Sequence, residues 1–202
     1  MTTEPEDRPS PGSLTELLDA LRPHESQDQM SVHDMVERVG GRSFPAVILV
    51  PAVLLVSPLS GIPSVPTLGG LLITLIAAQA LFGRKHLWLP GFLMRRSVSS
   101  RRMSKALDWL ARPSSWMDRF SRPRWRPLSS KAAQPLTYLS VIVLAIGWPV
   151  LELLPFVTSF GAGAVSMMMF GLMTRDGAYL LAGYLQGAAI YLILLTIWSG
   201  LI

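Results

Sequence analysis

From Phe44 to Gly83 the chain carries no charged side chain, and neither do residues 132–151 and 177–202. Uncharged runs of this length must be buried, either in a protein core or in lipid. About 20 apolar residues of helix cross roughly 30 Å of hydrocarbon. Residues 44–62, 67–83, 136–151, 156–173 and 178–202 therefore read as membrane segments. Composition agrees: 15% of the 202 residues are charged, against about 25% in a soluble domain.

Prolines divide these segments. Pro58, Pro63 and Pro66 interrupt the first apolar region, and Pro149 and Pro155 interrupt the second. Each proline removes a backbone donor and breaks a helix. Such backbone is tolerated at membrane depth only where protein or a wet cavity surrounds it. The interruptions recur at a near-constant offset. Ninety-one residues separate Pro58 from Pro149 and Arg84 from Arg175. Ninety-two separate Pro63 from Pro155, Val65 from Val157 and Gly69 from Gly161. The pattern is that of an internal repeat of broken helices, a mark of repeat-built transporters.

The reading is an all-α membrane protein with two proline-broken hairpins, transmembrane or re-entrant. Residues 1–42 form a polar N-terminal tail with short amphipathic helices, and 43–83 the first hairpin. Residues 84–131 form a basic cytoplasmic connector, and 132–202 the second hairpin plus a final transmembrane helix. Gly161–Met173 is only 13 residues long, about 20 Å of helix, which favours re-entrant halves. Ser13 to Glu16 and Ser31 to Asp34 read as capping signals opening the two short helices. No secretory signal is expected, because the chain opens acidic and the apolar run starts late.

Charge is unevenly placed. Nine of the 13 acidic side chains lie in residues 1–42, and 13 of the 18 lysines and arginines lie in 84–131. The positive-inside rule puts that basic block, and with it the N-terminus, in the cytoplasm of a multi-pass membrane protein. Arg95, Arg96, Arg101, Arg102 and Lys105 interleave with apolar residues, and Arg122 and Arg124 with Phe120 and Trp125. These are the candidate contacts to anionic headgroups. Residues 99–111 fit an amphipathic helix lying flat on the bilayer, with Met103, Leu107 and Leu110 as its apolar stripe. A basic block between apolar segments points to lipid and not to nucleic acid.

Glu152 stands between Pro149 and Pro155. An ionisable group at membrane depth normally faces a polar cavity or a partner; at the outer interface it would be a loop residue. Arg175 and Asp176 lie in a turn between apolar segments, where Asp176 suits the positive end of the following helix. Gln79 and Gln186 read as interhelical hydrogen-bonding groups. The candidate substrate or ion set is Glu152, Arg175, Asp176, Gln79, Pro63, Gly69, Pro155 and Gly161. With no cysteine and three scattered histidines, no metal or cofactor is expected. Met167–Met169 reads as packing. No enzyme motif appears, so the chain is not expected to be an enzyme.

Several elements occur in a characteristic order: the break from Pro58 to Gly69, Gln79-Ala-Leu-Phe-Gly-Arg84 followed by Trp88-Leu-Pro90, Arg122-Pro-Arg124, and Arg175-Asp-Gly177. Together they resemble the ExoD family of bacterial inner-membrane proteins associated with exopolysaccharide synthesis. The resemblance runs over residues 13–200. It departs at Met117-Asp118, where the family commonly has a glutamate before the Arg-Pro-Arg element. It implies a role in exopolysaccharide or envelope biogenesis and supplies no mechanism. Two functions fit: a small permease-like transporter built around Glu152, or a non-transporting accessory protein of a synthesis complex. Expected partners are the bilayer, a second copy of the chain, and polysaccharide synthesis proteins.

Overall fold

A computed structural model describes residues 13–23, 28–39, 44–62, 64–84, 87–122, 124–125, 127–151 and 157–200, and is mostly helical. Glu152, Pro155 and Pro63 lie outside the described residues.

The N-terminal segment and the basic connector fold together as one layer. Helix α1 (Leu14–Ala20) opens at Ser13, whose hydroxyl accepts from the Glu16 amide at 3.1 Å. Strand β1 (Gln29–Ser31) pairs antiparallel with β2 (Ser97–Ser99), setting buried Met30 opposite Val98. Helix α2 (Val32–Val39) carries a reciprocal cap: Ser31 N–H donates to the Asp34 carboxylate and Asp34 N–H to the Ser31 hydroxyl. The Ser31 amide, and after it the Ser31 hydroxyl, bond the Asp34 carboxylate and hold it below its ordinary range. After the short α5 (Gly91–Met94), helix α6 (Ser100–Phe120) packs along α1. Leu14, Leu17 and Leu18 on α1 and Met103, Leu107 and Leu110 on α6 are buried. The apolar stripe of the connector thus packs into the protein, and the opposite face of α6 presents Arg101, Arg102, Lys105, Trp109 and Trp116 outward.

Two apolar hairpins follow the same plan. Helices α3 (Phe44–Val56) and α7 (Gln134–Ile146) each run 13 residues, from 44 to 56 and from 134 to 146, an offset of 90 at both ends. One residue later comes a four-residue element, a 3₁₀ turn over Pro58–Gly61 and α8 over Trp148–Leu151, again offset by 90. The long arms α4 (Val65–Leu81) and α9 (Val157–Thr174) start 92 apart. A left-handed residue follows each, Gly83 (φ 67°) two residues after α4 and Arg175 (φ 56°) directly after α9. The last helix, α10 (Gly177–Gly200), is the longest.

Packing crosses between the hairpins. Helix α3 lies against α9, and α4 against α7. Both tips sit at the same end: the Ser60 and Ser159 hydroxyls are 2.8 Å apart, and Trp148 is buried between α4 and α9. A Cβ on Gly70 would stand 2.9 Å from the Ala145 carbonyl oxygen, and one on Gly161 2.9 Å from Trp148 Nε1. Within the segment 156–173 the sequence reading counts 13 residues of helix, from Gly161; the helix runs from Val157 to Thr174 and reaches 18 residues, about 27 Å.

The layers run in order. Helix α10 packs on α9, α9 on α3, and α3 on α1, α2 and α6. Helix α3 is therefore enclosed by protein, with Ala46–Val50 and Ala52–Leu55 buried. The α7 and α10 side is the reverse: Leu136, Leu139, Val143, Ile146, Leu185, Leu192, Ile193 and Leu195 are all exposed. Helices α9 and α10 are long and apolar enough to cross a membrane.

Candidate functional site

The polar groups singled out in the sequence form separate clasps: Asp176 and Gln79 at the open ends of the hairpins, after α9 and at the end of α4, and Gln186 near the tips. Asp176 is fully buried. Its Oδ1 accepts from the Ala178 amide at 3.0 Å, which caps α10. Its Oδ2 accepts from the Arg122 amide at 3.0 Å and from the Arg124 guanidinium at 3.3 Å. The Gly177 amide returns a bond to the Arg124 carbonyl at 2.8 Å. A Cβ on Gly177 would lie 2.7 Å from the Trp125 carbonyl oxygen, so only glycine allows this approach. Tyr179 adds a bond from its hydroxyl to the Met117 carbonyl at 3.0 Å and sets its ring edge-on to Phe170. The two motif elements Arg122–Arg124 and Arg175–Gly177 are thus one clasp joining the connector to the α9–α10 turn. Arg175 itself is exposed.

Gln79 makes a second clasp. Its side chain donates to the Trp88 carbonyl at 2.7 Å and accepts from the Trp88 amide at 2.7 Å. The buried amide satisfies the backbone of the Trp88-Leu-Pro90 turn as a strand neighbour would. Gln186 bonds the Phe160 carbonyl across α9 and α10 at 2.8 Å. Gly69 meets the Leu55 side chain and Gly161 meets Trp148, so both serve close packing.

A carboxylate the sequence left without a role has one. Asp118 accepts from the amides of Leu14 and Thr15 at 2.8 Å each and from the Thr15 hydroxyl at 2.6 Å. It caps α1 from 103 residues away. The signal that could have found it is the pair of amides, Leu14 and Thr15, that the Ser13 cap does not reach: the first four amides of any helix need acceptors.

The candidate headgroup cations, Arg95, Arg96, Arg101, Arg102, Lys105, Arg122 and Arg124, are all exposed. Exposed Trp88, Phe92, Trp109, Trp116, Phe120 and Trp125 lie among them in sequence. Among the described residues no group of three metal-ligating side chains occurs.

These clasps join the same elements on which the sequence resemblance rests, and comparison with known proteins decides the family. The family model described as "Exopolysaccharide synthesis, ExoD" matches residues 14–196. The chain belongs to the ExoD family. It is similar to Protein ExoD of Rhizobium meliloti strain 1021, at 24% identity over 176 residues, covering 85% of this chain and 72% of that protein. No solved structure matches. Membership associates this ExoD chain with exopolysaccharide synthesis. In this ExoD chain the side chains of Gln79, Arg124 and Asp176 and the backbone amide of Arg122 hold the clasps together.

Proposed function

We propose that this ExoD protein is a multi-pass inner-membrane protein serving exopolysaccharide synthesis as a non-transporting accessory component. Helices α9 and α10 cross the bilayer, and the exposed faces of α7 and α10 meet lipid. The connector and the α9–α10 turn lie together on the cytoplasmic side, as their clasp and the positive-inside rule support. The observation that carries the reading is the layering: an apolar α10 side, an enclosed α3, and a charged outer layer. That outer layer covers one flank of the first hairpin, so the bulk bilayer meets the α7 and α10 side.

We further read the two hairpins as copies of one unit in parallel orientation. The shared lengths, the offsets and the reciprocal packing of α3 on α9 and α4 on α7 support it. The permease reading keeps one motivation, Glu152 standing between Pro149 and Pro155 in the sequence. The accessory reading is favoured because Asp176 and Gln79 bind backbone groups and not an open path.

Complementation separates the two. A strain lacking the protein receives wild type, Glu152→Gln, or a Trp109→Ser/Trp116→Ser/Phe120→Ser variant, with membrane levels matched. The accessory reading expects Glu152→Gln to restore polysaccharide output and the aromatic variant to fail. An inactive Glu152→Gln beside a fully active aromatic variant would replace it with the permease reading.

A further inference from the structure

A crevice of about 210 Å³ opens between α2 and the first hairpin. Its walls include Met35 and Val36 of α2, Pro51 and Leu55 of α3, and Leu68 of α4; Arg96 stands in its lining just before β2. The other lining side chains are apolar apart from Ser97. Arg96 is exposed, and no ion pair to its guanidinium occurs among the described residues.

We propose that this crevice holds one acyl chain of an anionic phospholipid, with the lipid phosphate at Arg96. Walls of this kind offer nothing to a polar ligand, because a buried polar group without a partner is costly. The volume falls below the roughly 300–1,000 Å³ of sites for drug-sized, ring-bearing ligands. A slim aliphatic segment fits it better. Charge chooses the headgroup: Arg95 and Arg96 precede β2, and Arg101 and Arg102 open α6 just after it. A guanidinium binds phosphate through paired donors, and each basic side chain near an anionic surface adds about fivefold to binding. The seated lipid would complete the packing of α2 against α3 and α4 and tie the outer layer to the membrane. The inference rests on the membrane reading above.

The test uses the full chain in phosphatidylcholine vesicles containing a small fraction of phosphatidylglycerol with a photoactivatable acyl chain. Cross-linked peptides are mapped by mass spectrometry, with photoactivatable phosphatidylcholine as the matched control. Labelling of residues 32–39 and 65–72 is expected, about fivefold stronger for the anionic lipid. Arg96→Gln should remove that preference while leaving labelling of α10 unchanged. Val36→Phe, which fills the crevice, should abolish labelling of α2. Label on α10 with none on α2 overturns the proposal and leaves the membrane reading standing. Label on neither helix overturns the membrane reading itself. Labelling of α2 that is displaced by stoichiometric polyprenyl phosphate would assign the crevice to that lipid and overturn the phospholipid.

Discussion

The backbone amide of Arg122 donates to Asp176 Oδ2 at 3.0 Å across 54 residues of sequence. The bond makes the connector and the α9–α10 turn a single structural unit. Two backbone amides and one guanidinium depend on this buried carboxylate. Asp176→Ala leaves both amides without their acceptor, at about 1–3 kcal/mol each. Arg124→Ala removes a half-exposed cation and two side-chain bonds, and should cost less. Thermal unfolding in detergent should rank wild type above Arg124→Ala, and Arg124→Ala above Asp176→Ala. The reverse order of the two variants would show that charge, and not backbone capping, holds the clasp.

Gln79 should behave as a structural residue. Gln79→Leu keeps the volume and loses both bonds to Trp88, at about 1–3 kcal/mol for each group left unpaired. Limited proteolysis after Arg84 should quicken, while α10 keeps its hydrogen-exchange protection. Unchanged proteolysis would place the hold on that turn elsewhere.

Adjacent glycines should differ. A Cβ on Gly69 meets the Leu55 side chain, whose terminal methyl can rotate away. A Cβ on Gly70 meets the Ala145 carbonyl oxygen at 2.9 Å, and backbone does not yield so easily. Gly70→Ala should cost about 1–3 kcal/mol, the usual toll of overpacking, and Gly69→Ala clearly less. Equal melting temperatures for the two variants would contradict the close approach of α4 to α7.

The hairpin tips should be joinable. The chain has no cysteine, so Ser60→Cys/Ser159→Cys creates one possible pair, at hydroxyls 2.8 Å apart. Such spacing lies within disulfide reach. Mild oxidation should link peptides around 60 and 159 within one chain, as read by mass spectrometry. Failure to link, with both thiols reactive, would contradict the shared orientation of the hairpins.

The apolar elements were legible in the sequence because a charge-free run is a local signal. The segments read at 67–83 and 156–173 are the helices α4 and α9. The partners were not legible. Nothing near Asp118 in sequence says that it caps a helix more than 100 residues away. The stripe Met103, Leu107, Leu110 has the spacing of a membrane-surface helix, yet α1 offers it a protein partner. Amphipathicity states that a face is buried and is silent on what buries it. Trp148 stands beside Pro149 in the sequence, and its place between Gly70 and Gly161 follows only from the crossing of the hairpins.

The most direct test is cysteine accessibility across the bilayer, on a chain naturally free of cysteine. Single variants Ser115→Cys on α6, Arg175→Cys in the α9–α10 turn and Ser199→Cys near the end of α10 are treated in intact cells and in inverted vesicles with a membrane-impermeant maleimide. The expected result is that Ser115→Cys and Arg175→Cys react only from the cytoplasmic side and Ser199→Cys only from the opposite side. Reaction of Arg175→Cys and Ser199→Cys from the same side would contradict the account, because α10 would then not cross the membrane.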